Sequence, residues 1–578
     1  MCNEETSYYD KFWHTAAHVF ANALVELYPK AKIAIGPPIE QGFHYDFELE
    51  ENLDAKTLEK IEAKMREILS RKEKMIQGEM TIPEALEFFK NNPYKTEMIN
   101  DLSKTGEVKI STYTNGKFTD MCKGPHIESI EEIGAVKLLK VSGAYWKGNE
   151  KNKMLQRVYG IAFKTQKELD EFLEMRKKAE ENSHVKLGKE LDLYIQSEIV
   201  GKGLPLFTPR GAMIMQTLQR FIEDEEGRRG YVRTRTPVLT KSDLYKISGH
   251  YDHYKDSMFQ LEIEGNEYFL RPMTCPHQYM IYKSKQYSYR DMPVRLAEVS
   301  QLFRKEQSGE LHGIVRVWQF TLNDAHIICR TDQLETELDS TLELIHYCMK
   351  KLGIKDYWYR FSKWDPNNKA KYIDNPEMWE KSQAILKGVL EKSKTKYVEA
   401  DDEAAFYGPK IDIQAKNVYG KEDSLFTVQL DFSAAEKFDM TYIDKDSTKQ
   451  RPVVIHRAAV GCLERTLAFM LEQTGGNLPF WLSPEQLRII PVSEKFVEDA
   501  NELKKKLQNE GYRIETDSKD QTLGNKIRNA QGLKIPIMLV FGEKEKTTGE
   551  YQLRERNGTQ YKLNYTDLIN ALKKMNEE

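Results

Sequence analysis

Two pairs of metal-type residues in the first third of the chain each have a spacing of four positions. His14 and His18 share one face of a predicted helix, because residues four apart are neighbours on a helix. Cys122 and His126 have the same spacing and lie next to Asp120. Histidine nitrogens and cysteine thiolates are ligands that zinc prefers. The residue types and spacing are therefore typical of a zinc site, and by themselves they favour its presence and its absence about equally.

Two arginine-bearing segments in the middle of the chain have the composition of a phosphate-binding cleft. The first, residues 302–326, is predicted to form two strands joined by a turn-rich loop. Arg304 could bind a phosphate there through two parallel hydrogen bonds, and Phe320 could stack on a base. The second, residues 455–472, contains a helix rich in Ala and Leu that carries Arg465. Each arginine alone is more often a surface group, so the combination carries the prediction.

Three blocks of sequence must position these residues. The first, residues 1–165, opens with an amphipathic helix and continues with strand-like stretches. A charged, proline-free linker helix, 166–185, leads to the middle block, 186–482, whose long helices and β-type runs predict an α+β domain on an antiparallel sheet. The last block, 483–578, alternates strands and helices, which predicts a small α/β domain with a largely parallel sheet.

Length and composition exclude several classes of protein. The 578 residues are 40% hydrophobic and 30% charged, which excludes a disordered, collagen-like or membrane-embedded chain. The 86 basic and 90 acidic residues give a net charge of −4. This balance excludes binding of nucleic acid through bulk positive charge and leaves a local basic surface open. Six scattered cysteines, no signal peptide and no apolar run of about 18 residues predict a cytoplasmic protein without a membrane span.

The two arginine segments together resemble motifs 2 and 3 of the class II aminoacyl-tRNA synthetases. The segment RRGYVRTRTPVL (228–239), with Pro237, resembles motif 1, the dimer-interface element of that class. Further segments narrow the resemblance to the threonyl-tRNA synthetase family: RPMTCPH (271–277), FYGPKID (406–412), TVQLDF (427–432), HTAAH (14–18) and TDMCKGPH (119–126). The resemblance covers essentially the whole chain.

The resemblance implies an α+β multidomain protein. A class II catalytic domain on an antiparallel sheet would occupy residues 186–482, between an N-terminal α+β editing domain (1–165, followed by the linker helix) and a C-terminal α/β anticodon-binding domain (483–578). The small ubiquitin-like domain with which bacterial members usually begin is expected to be absent, so we expect three domains. Motif 1 implies a homodimer.

The activity implied by the resemblance is ATP-dependent attachment of L-threonine to tRNA(Thr) through threonyl-adenylate, with Mg²⁺ accompanying ATP. Arg304 would bind the α-phosphate and Arg465 the γ-phosphate. Glu306 would read the adenine and Phe320 would stack on it, while Arg316 is a further phosphate candidate. Preorganised positive charge of this kind is the main means by which reactions at phosphoryl centres are accelerated.

The zinc ligands of the family match three residues, with one zinc for each catalytic site: Cys275, His326 and His456. Spacing alone does not reveal this site, because about 50 and then about 130 positions separate the three residues. The nearer pair Cys275 and His277 is the one that spacing would suggest. Three protein ligands leave positions open for the amine and the hydroxyl of threonine. Three further residues would support the amino acid: Asp324, Tyr407 and Gln429.

A site of this kind discriminates unevenly between amino acids. Valine lacks the hydroxyl, and a site built around a hydroxyl rejects such an analogue by roughly 10⁴–10⁵. Serine lacks only a methyl group, which is worth about 10–200-fold, so Ser-tRNA(Thr) must be hydrolysed at a second site. The resemblance assigns substrate and water positioning at that site, without a metal, to His14, His18, Lys95, Asp120, Cys122 and His126. A metal-bound alternative stays open because related alanyl-type domains use one.

Two further sets of residues are implied by the resemblance. His250, in SGHYDHY (248–254), matches a histidine proposed to help deprotonate the accepting hydroxyl of the tRNA, the alternative being a surface loop histidine. Glu545 and Arg554 match positions that read anticodon bases, since Glu accepts from an exocyclic amine and Arg donates to a base edge. Lys526 and Arg528 are expected to meet phosphate, although single exposed basic residues more often serve solubility.

Three residues depart from the family pattern in or near the active cleft. Leu322 and Ser424 stand where the family usually has glutamine, and Trp318 stands where it usually has arginine. One hypothesis is that the chain is an inhibitor-resistant second copy of the enzyme, and lineage drift is the alternative. A rival of another class is a non-ligating paralogue that only edits Ser-tRNA or binds tRNA as a regulator. The intact Arg304 and Arg465 oppose that rival.

Overall fold

The chain divides into two compact units, Met1–Lys177 and Lys178–Glu578. The computed structural model describes residues 7–393 and 395–577. Helix Gln166–Glu181, inside the predicted linker, crosses the division between the two units. Among these described residues, no helix combines the length and the apolar character that a membrane span requires.

The first unit is built on helix Tyr8–Leu27 and an antiparallel sheet. Ser7 and Asp10 form a capping box that fixes the start of this helix. Phe12 and the apolar residues of the helix from Ala16 to Leu24 are buried against helix Ala55–Ser70 and the sheet. In spatial order the strands are Lys32–Ile33, Gly42–Glu48, Met154–Phe163 and Ala135–Tyr145, with Pro38–Ile39 paired to Gly42–Glu48.

A second sheet in the first unit carries other candidate residues. Its antiparallel strands are Met75–Thr81, Lys109–Asn115 and Phe118–Met121, accompanied by helices Ile82–Phe88 and Pro93–Lys104. The Asn92 side chain caps helix Pro93–Lys104 by accepting from the amides of Tyr94 and Lys95 at 3.2 and 3.4 Å. Lys95 therefore lies in the first turn of a capped helix, while Asp120 lies on a paired strand.

The second unit is built on an eight-stranded sheet within the described residues. The strand order is Val232–Arg233, Val294–Phe303, Gln319–Cys329, Val453–Ala458, Glu422–Asp431, Lys410–Lys416, Tyr357–Ser362 and Tyr397–Ala400. Neighbouring strands are antiparallel except for the parallel pairs at the two edges. One apolar core joins the sheet to four long helices and to the short helix His184–Glu190; the long helices are Pro209–Arg228, Leu334–Lys351, Pro376–Ser393 and Leu463–Thr474. The predicted α+β domain on an antiparallel sheet is confirmed.

Smaller elements border this sheet. The short helices are His184–Glu190, Ser242–Ser248, His250–Tyr254, Cys275–Lys283 and Ala434–Lys437. The minor strands pair in three groups: Leu239–Lys241, Asn266–Leu270 and Gln260–Ile263; Tyr287–Ser288, Tyr442–Ile443 and Lys449–Gln450; and Tyr194–Ile195 with Leu206–Phe207. These elements supply the candidate residues that do not lie on the main sheet, including Cys275 and His250.

The C-terminal part of the second unit contains a mixed five-stranded sheet. The strand order is Ile514–Thr516, Leu487–Pro491, Ile537–Phe541, Glu550–Glu555 and Gln560–Asn564, and the helices are Val497–Asn509, Leu523–Gly532, Glu543–Thr548 and Tyr565–Glu577. The first three strands are parallel, but the last two form an antiparallel hairpin. The expectation of a largely parallel sheet was wrong there. Asn557-Gly558, with Gly558 at φ 96°, makes the tight turn that returns the chain directly.

Candidate functional site

The main sheet of the second unit opens into a cavity of about 710 Å³. Its walls come from the central strands, the loop that follows strand Val294–Phe303 and the start of helix Leu463–Thr474. The predicted catalytic, ATP-binding, threonine-binding and metal residues all line it: His250, Cys275, Arg304, Glu306, Arg316, Phe320, Asp324, His326, Tyr407, Gln429, His456 and Arg465. The fold therefore brings together residues that are separated by up to 215 positions in the sequence.

Strand register explains the buried cluster of Cys275, His326 and His456. The two histidines are direct cross-strand partners on adjacent antiparallel strands, and Cys275 begins the helix beside them. One potential ligand atom from each of the three residues lies within 4.8 Å of the others. His277, the partner that spacing suggested for Cys275, instead lies with its Nε2 2.6 Å from Thr240 Oγ1. Among the residues that the structure describes, the cluster does not include His277.

The outer nitrogens of the two histidines are held by acceptors. His326 Nδ1 donates to Gln278 Oε1 at 2.5 Å, and His456 Nε2 donates to Asp431 Oδ2 at 3.2 Å. The inner nitrogens, His326 Nε2 and His456 Nδ1, then both present lone pairs and lie 3.0 Å apart. Two facing lone pairs repel each other unless a cation lies between them. The donor set of one sulfur and two nitrogens, with outer groups that orient it, therefore fits zinc.

Burial sets the protonation of this cluster. It lowers the pKa of His326 well below the usual value, so the ring is neutral and able to ligate. Burial, together with the nearby carboxylates of Asp324 and Asp431, raises the pKa of the Cys275 thiol. A divalent cation would reverse that preference, because a coordinating thiol loses its proton.

The arginines and Phe320 line the cavity beside this cluster. The guanidinium of Arg304 lies 5.2 Å from the centroid of the Phe320 ring, and its Nε donates to Pro272 O at 3.4 Å. Desolvation by the surrounding cavity walls, with Arg465 nearby, lowers the pKa of Arg304. The Arg465 Nε donates to Val315 O at 3.4 Å. Two cationic groups thus face one space, an arrangement suited to a polyanion.

Glu306 and Arg316 are bonded to each other. Arg316 donates to Glu306 Oε2 at 3.1 Å and also approaches Glu310 Oε2 at 3.4 Å. Both residues are partly exposed, so the pair is weak and exchangeable. A base that needs the Glu306 carboxylate, or a phosphate that needs Arg316, must therefore displace this pair.

The remaining polar wall consists of Asp324, Tyr407 and Gln429. Burial raises the pKa of Asp324, and its Oδ1 lies 3.7 Å from His326 Nε2. The Tyr407 hydroxyl donates to Gln429 Oε1, and its ring stacks on His456 at 5.2 Å between centroids. These three side chains surround the histidine pair with acceptors and one aromatic face. An arrangement of this kind can hydrogen-bond a small polar molecule.

Two residues of the quoted segment FYGPKID were missed as site residues. Asp412 lines the cavity and is almost fully buried, where it accepts from Lys410 Nζ at 2.6 Å and from Thr427 Oγ1 at 2.9 Å. Lys410 lines the same cavity. The alternation of Lys410 and Asp412 on one face of a strand was the available signal, since residues two apart point the same way.

The three residues that depart from the family pattern occupy different positions. Leu322 and Ser424 line the cavity. The Ser424 hydroxyl accepts from Gln414 Nε2 at 2.6 Å. Trp318 lies behind the wall, where its Nε1 donates to Glu306 O at 2.9 Å and its ring meets Phe259 edge-on at 5.5 Å. Trp318 therefore supports the loop that carries Glu306.

A second cluster lies in the first unit. One potential ligand atom each from His14, His18, Cys122 and His126 lies within 4.8 Å of the others. Cys122 Sγ is 3.3 Å from His14 Nε2 and 3.3 Å from His126 Nε2. The backbone amide of Gly124 also donates to this sulfur, at 3.2 Å. The i,i+4 pair on the helix thus meets the i,i+4 pair that follows strand Phe118–Met121, as the shared spacing predicted.

A buried ion pair lies beside this second cluster. Lys95 Nζ and Asp120 Oδ1 are 2.6 Å apart, and each side chain is only 2% exposed. The Tyr45 hydroxyl donates to Asp120 Oδ2 at 2.8 Å. Sequence reasoning missed Tyr45, which lies on a buried strand with no motif to distinguish it. The carboxylate of Asp120 is thus satisfied on both oxygens.

The second cluster is electrically neutral. Burial lowers the pKa of His14, His18 and His126, and it raises the pKa of the Cys122 thiol to about 11. Neutral imidazoles and a thiol can orient a water molecule and a hydroxyl-bearing substrate. The set of three nitrogens and one sulfur also satisfies the ligand preferences of zinc.

The C-terminal candidates differ in accessibility. Glu545 caps its own helix by accepting from Gly542 N at 3.0 Å, and Arg554 Nε lacks a hydrogen-bond partner among the described residues. Lys526 is buried and donates to Asp517 O at 3.1 Å, which contradicts the expectation that it meets phosphate. Its ammonium instead ties its helix to the loop after strand Ile514–Thr516. Arg528 is exposed.

Family models match three regions of the chain. They are the tRNA synthetase class II core domain (G, H, P, S and T) at residues 259–474, an anticodon binding domain at 486–575, and the threonyl and alanyl tRNA synthetase second additional domain at 110–159.

Two solved structures are similar in fold. The RNA binding domain of threonyl-tRNA synthetase from Cryptosporidium parvum Iowa II has a TM-score of 0.65 and 35% identity, with 68% of this chain and 98% of that chain covered. A putative threonyl-tRNA synthetase from Aeropyrum pernix has a TM-score of 0.60 and 26% identity, with 68% and 96% covered.

Curated relatives are similar over nearly the full length. The threonine–tRNA ligase of Clostridium perfringens (strain SM101 / Type A) is 53% identical over 97% of this chain and 88% of its own length. That of Clostridium botulinum (strain Eklund 17B / Type B) is 54% identical over 95% and 85%, and that of Geobacillus sp. (strain WCH70) is 45% identical over 97% and 87%. Together with the buried cluster and the paired arginines, this similarity identifies the chain as a member of the threonine–tRNA ligase family of class II aminoacyl-tRNA synthetases.

Proposed function

We propose that the second unit forms threonyl-adenylate from L-threonine and ATP and transfers threonine to tRNA(Thr), while the first unit hydrolyses Ser-tRNA(Thr). The observation that carries the proposal is the single cavity that holds both the Cys275, His326 and His456 cluster and the arginines Arg304 and Arg465. An amino-acid subsite beside a polyphosphate subsite is what adenylate formation requires.

The cluster would hold zinc in the amino-acid subsite, where the metal would supply a Lewis acid for the amine and hydroxyl of threonine. Around it, Asp324 would accept from the substrate ammonium. Tyr407 and Gln429 would fix the orientation of the side chain through their shared hydrogen bond. A hydroxyl-dependent subsite of this kind would reject valine strongly.

Arg304 and Arg465 would act on ATP, which enters with Mg²⁺. Arg304 would stabilise the charge that develops on the α-phosphate as pyrophosphate leaves, while the Phe320 ring, already packed on Arg304, would stack on adenine. Arg465 would hold the γ-phosphate. Binding of ATP would break the Glu306–Arg316 ion pair. The Glu306 carboxylate would then accept a hydrogen bond from the adenine amine, and Arg316 would bind a phosphate.

His250 would assist the transfer step. It lines the same cavity, and burial lowers its pKa to about 3, so that the ring is a neutral base at physiological pH. Its alanine variant should slow transfer and leave adenylate formation unchanged. An equal loss in both steps would contradict this role.

The first unit would correct the error that serine makes unavoidable. Serine differs from threonine by one methyl group, a difference worth only about 10–200-fold in binding. The neutral cluster of His14, His18, Cys122 and His126 would position water against the ester, without a metal, and the Lys95–Asp120 pair would orient the ribose or the seryl group. Metal-bound chemistry is the rival for this site.

A homodimer and a tRNA-binding C-terminal region complete the proposal. Several apolar side chains of the second unit are exposed, among them Ile199 at 99% and, inside the motif 1 segment, Val232 at 55%. A protomer of 67.4 kDa should therefore give a particle of twice that mass in light scattering. In the C-terminal region, Glu545 and Arg554 would read anticodon bases.

Threonine-dependent exchange of pyrophosphate into ATP tests the proposal most directly. Exchange with threonine, weaker exchange with serine and none with valine would support a ligating enzyme. Absence of exchange with all three amino acids would favour the rival function, a paralogue that only edits or binds tRNA.

A narrower hypothesis concerns resistance to active-site inhibitors. Leu322 and Ser424 are cavity-lining residues that replace the amides usual in the family, so an inhibitor that bonds those amides should bind weakly here. Leu322→Gln should increase inhibition if this hypothesis is right. Equal inhibition of the wild type and the variant would leave lineage drift as the explanation.

A further inference from the structure

The junction between two short helices presents His250 to the cavity. Helix Ser242–Ser248 ends at Gly249, whose φ of 81° is in the left-handed region, and helix His250–Tyr254 starts immediately after it. A side chain at residue 249 would be strained by this φ, and its Cβ would lie 3.0 Å from Lys437 Nζ. The glycine therefore lets the chain reverse sharply, so that the ring of His250 folds back toward Ser248.

The hydroxyl of Ser248 has one proton and two neighbours. Ser248 Oγ donates to Tyr245 O at 3.1 Å and lies 2.8 Å from His250 Nδ1. In a continuing helix the amide of Gly249 would bond Tyr245 O, but here that amide donates to Lys246 O at 3.2 Å. Tyr245 O accordingly takes the hydroxyl proton of Ser248. Toward His250 the same oxygen is then an acceptor, and this arrangement favours the tautomer in which Nδ1 carries the ring proton.

The surroundings hold this arrangement in place. Lys437 Nζ donates to Ser248 O at 3.2 Å and lies 5.1 Å from the centroid of the Phe406 ring. Phe406 in turn meets the His250 ring edge-on at 5.5 Å. The backbone of Ser248 and the ring of His250 are thus fixed from two directions. The Nε2 atom has no hydrogen-bond partner among the described residues.

We propose that Ser248 is a positioning residue for the transfer step, because it fixes His250 in the tautomer whose Nε2 is an unprotonated acceptor facing the cavity. This inference rests on the role proposed above for His250. In the step, the accepting ribose hydroxyl of the tRNA gives its proton to Nε2 while its oxygen bonds to the threonyl carbonyl carbon. The bond between the carbonyl carbon and the phosphate oxygen breaks, and its electron pair goes to AMP. The imidazolium later releases its proton to solvent. The other tautomer would present an N–H to the hydroxyl and could not take its proton.

The test measures single-turnover transfer from preformed threonyl-adenylate to tRNA(Thr), with pyrophosphate exchange as the readout of the earlier step. Removing one hydrogen bond that selects the tautomer should slow transfer by about 5–10-fold in Ser248→Ala. Exchange should stay within about twofold of the wild type, since Ser248 Oγ bonds only Tyr245 and His250 among the described residues. Ser248→Thr and Ser248→Val form a matched pair of the same shape, and only the threonine variant, with its hydroxyl, should transfer at the wild-type rate.

The decisive control places Ser248→Ala in a His250→Ala background. If Ser248 acts through His250, the double variant should transfer no more slowly than His250→Ala alone. Slow transfer in His250→Ala together with a wild-type transfer rate in Ser248→Ala would overturn the role of Ser248 and leave the role of His250 standing. An unaffected His250→Ala would remove both roles. Additive losses, or equal losses in exchange and transfer, would show that Ser248 is merely structural and would also overturn the inference.

Discussion

The two histidine–cysteine clusters contain the same residue types at similar distances, but their surroundings differ in charge. In the second unit the outer N–H of His456 donates to the carboxylate of Asp431, and Asp324 approaches His326. In the first unit the His126 Nδ1–H donates to the hydroxyl of Thr15 at 3.1 Å, since that hydroxyl has given its own proton to Lys11 O. One cluster is therefore supported by anions and the other by neutral groups.

The charged residues beside the first-unit cluster do not compensate for this difference. Asp120 is already satisfied by Lys95 and Tyr45. Burial lowers the pKa of His18, and the neighbouring His14 and Lys95 lower it further, with no carboxylate among the described residues acting against them. Carboxylates that orient ligating histidines raise metal affinity. The comparison teaches that residue types define which sites could bind a cation, while the surrounding charges decide which of them favours one.

The largest expected effect separates the two clusters by metal content. Cys275→Ala should lose the single zinc expected per chain and reduce pyrophosphate exchange by about 10³-fold, because a Lewis acid is worth several kcal/mol. Cys122→Ala, the matched control, should keep both the zinc and the exchange and lose hydrolysis of Ser-tRNA(Thr). Elemental analysis of the purified full-length chain measures the metal. Two zincs in the wild type and one in Cys122→Ala would show that the first-unit cluster also binds zinc, as the metal-bound alternative requires.

The next effect concerns the buried pair beside the first-unit cluster. Lys95→Met would leave Asp120 charged and buried without its partner, which should cost about 3–5 kcal/mol of unfolding free energy. The exposed ion pair of Lys147 with Asp101 is the control, and Lys147→Met should cost under about 1 kcal/mol. Chemical denaturation followed by a probe of the first unit measures both. Equally small losses of unfolding free energy in the two variants would mean that the Lys95–Asp120 pair contributes little to stability.

A smaller effect should sharpen the contrast between the carboxylates. Asp431→Asn keeps a hydrogen-bond acceptor for His456 but removes the negative charge, so zinc affinity should fall by about 10–100-fold. Asp120→Asn removes the corresponding charge in the first unit. Titration of bound zinc with a chelator should shift for the Asp431 variant alone. A matching shift for Asp120→Asn would indicate that the first unit also holds metal.

The smallest effect is an expected absence of pH dependence that the two sites share. Burial lowers the pKa of His250 to about 3, and the pKa of His14 is lowered as well. A lowered pKa means that the neutral base is fully present above it and is lost only as pH falls through it. Transfer should therefore show no histidine inflection between about pH 5 and 8, and neither activity should show one near pH 6.5. An inflection in one activity but not the other would separate the two sites.

The first-unit cluster was predictable because its residues lie at spacings that local geometry makes meaningful. The helical spacing of His14 and His18 placed both on one face, as observed. Burial was not predictable in the same way. Lys526 was expected at the surface, yet it is buried and its ammonium donates to backbone carbonyls. The long apolar stem of a lysine can be buried when its ammonium finds acceptors. The C-terminal hairpin was missed although Asn557-Gly558 is a strong turn signal.

Residue types and local periodicity by themselves determined the α+β architecture, the polar segments that carry chemistry and the neutral-to-acidic balance of the whole chain. They could not determine that His326 and His456 face each other, because cross-strand register depends on how the whole sheet pairs. Nor could they reveal the Tyr45–Asp120–Lys95 network or the hydroxyls that orient His250 and His126. Those features depend on contacts between distant segments, and only the packed tertiary structure decides which donor reaches which acceptor.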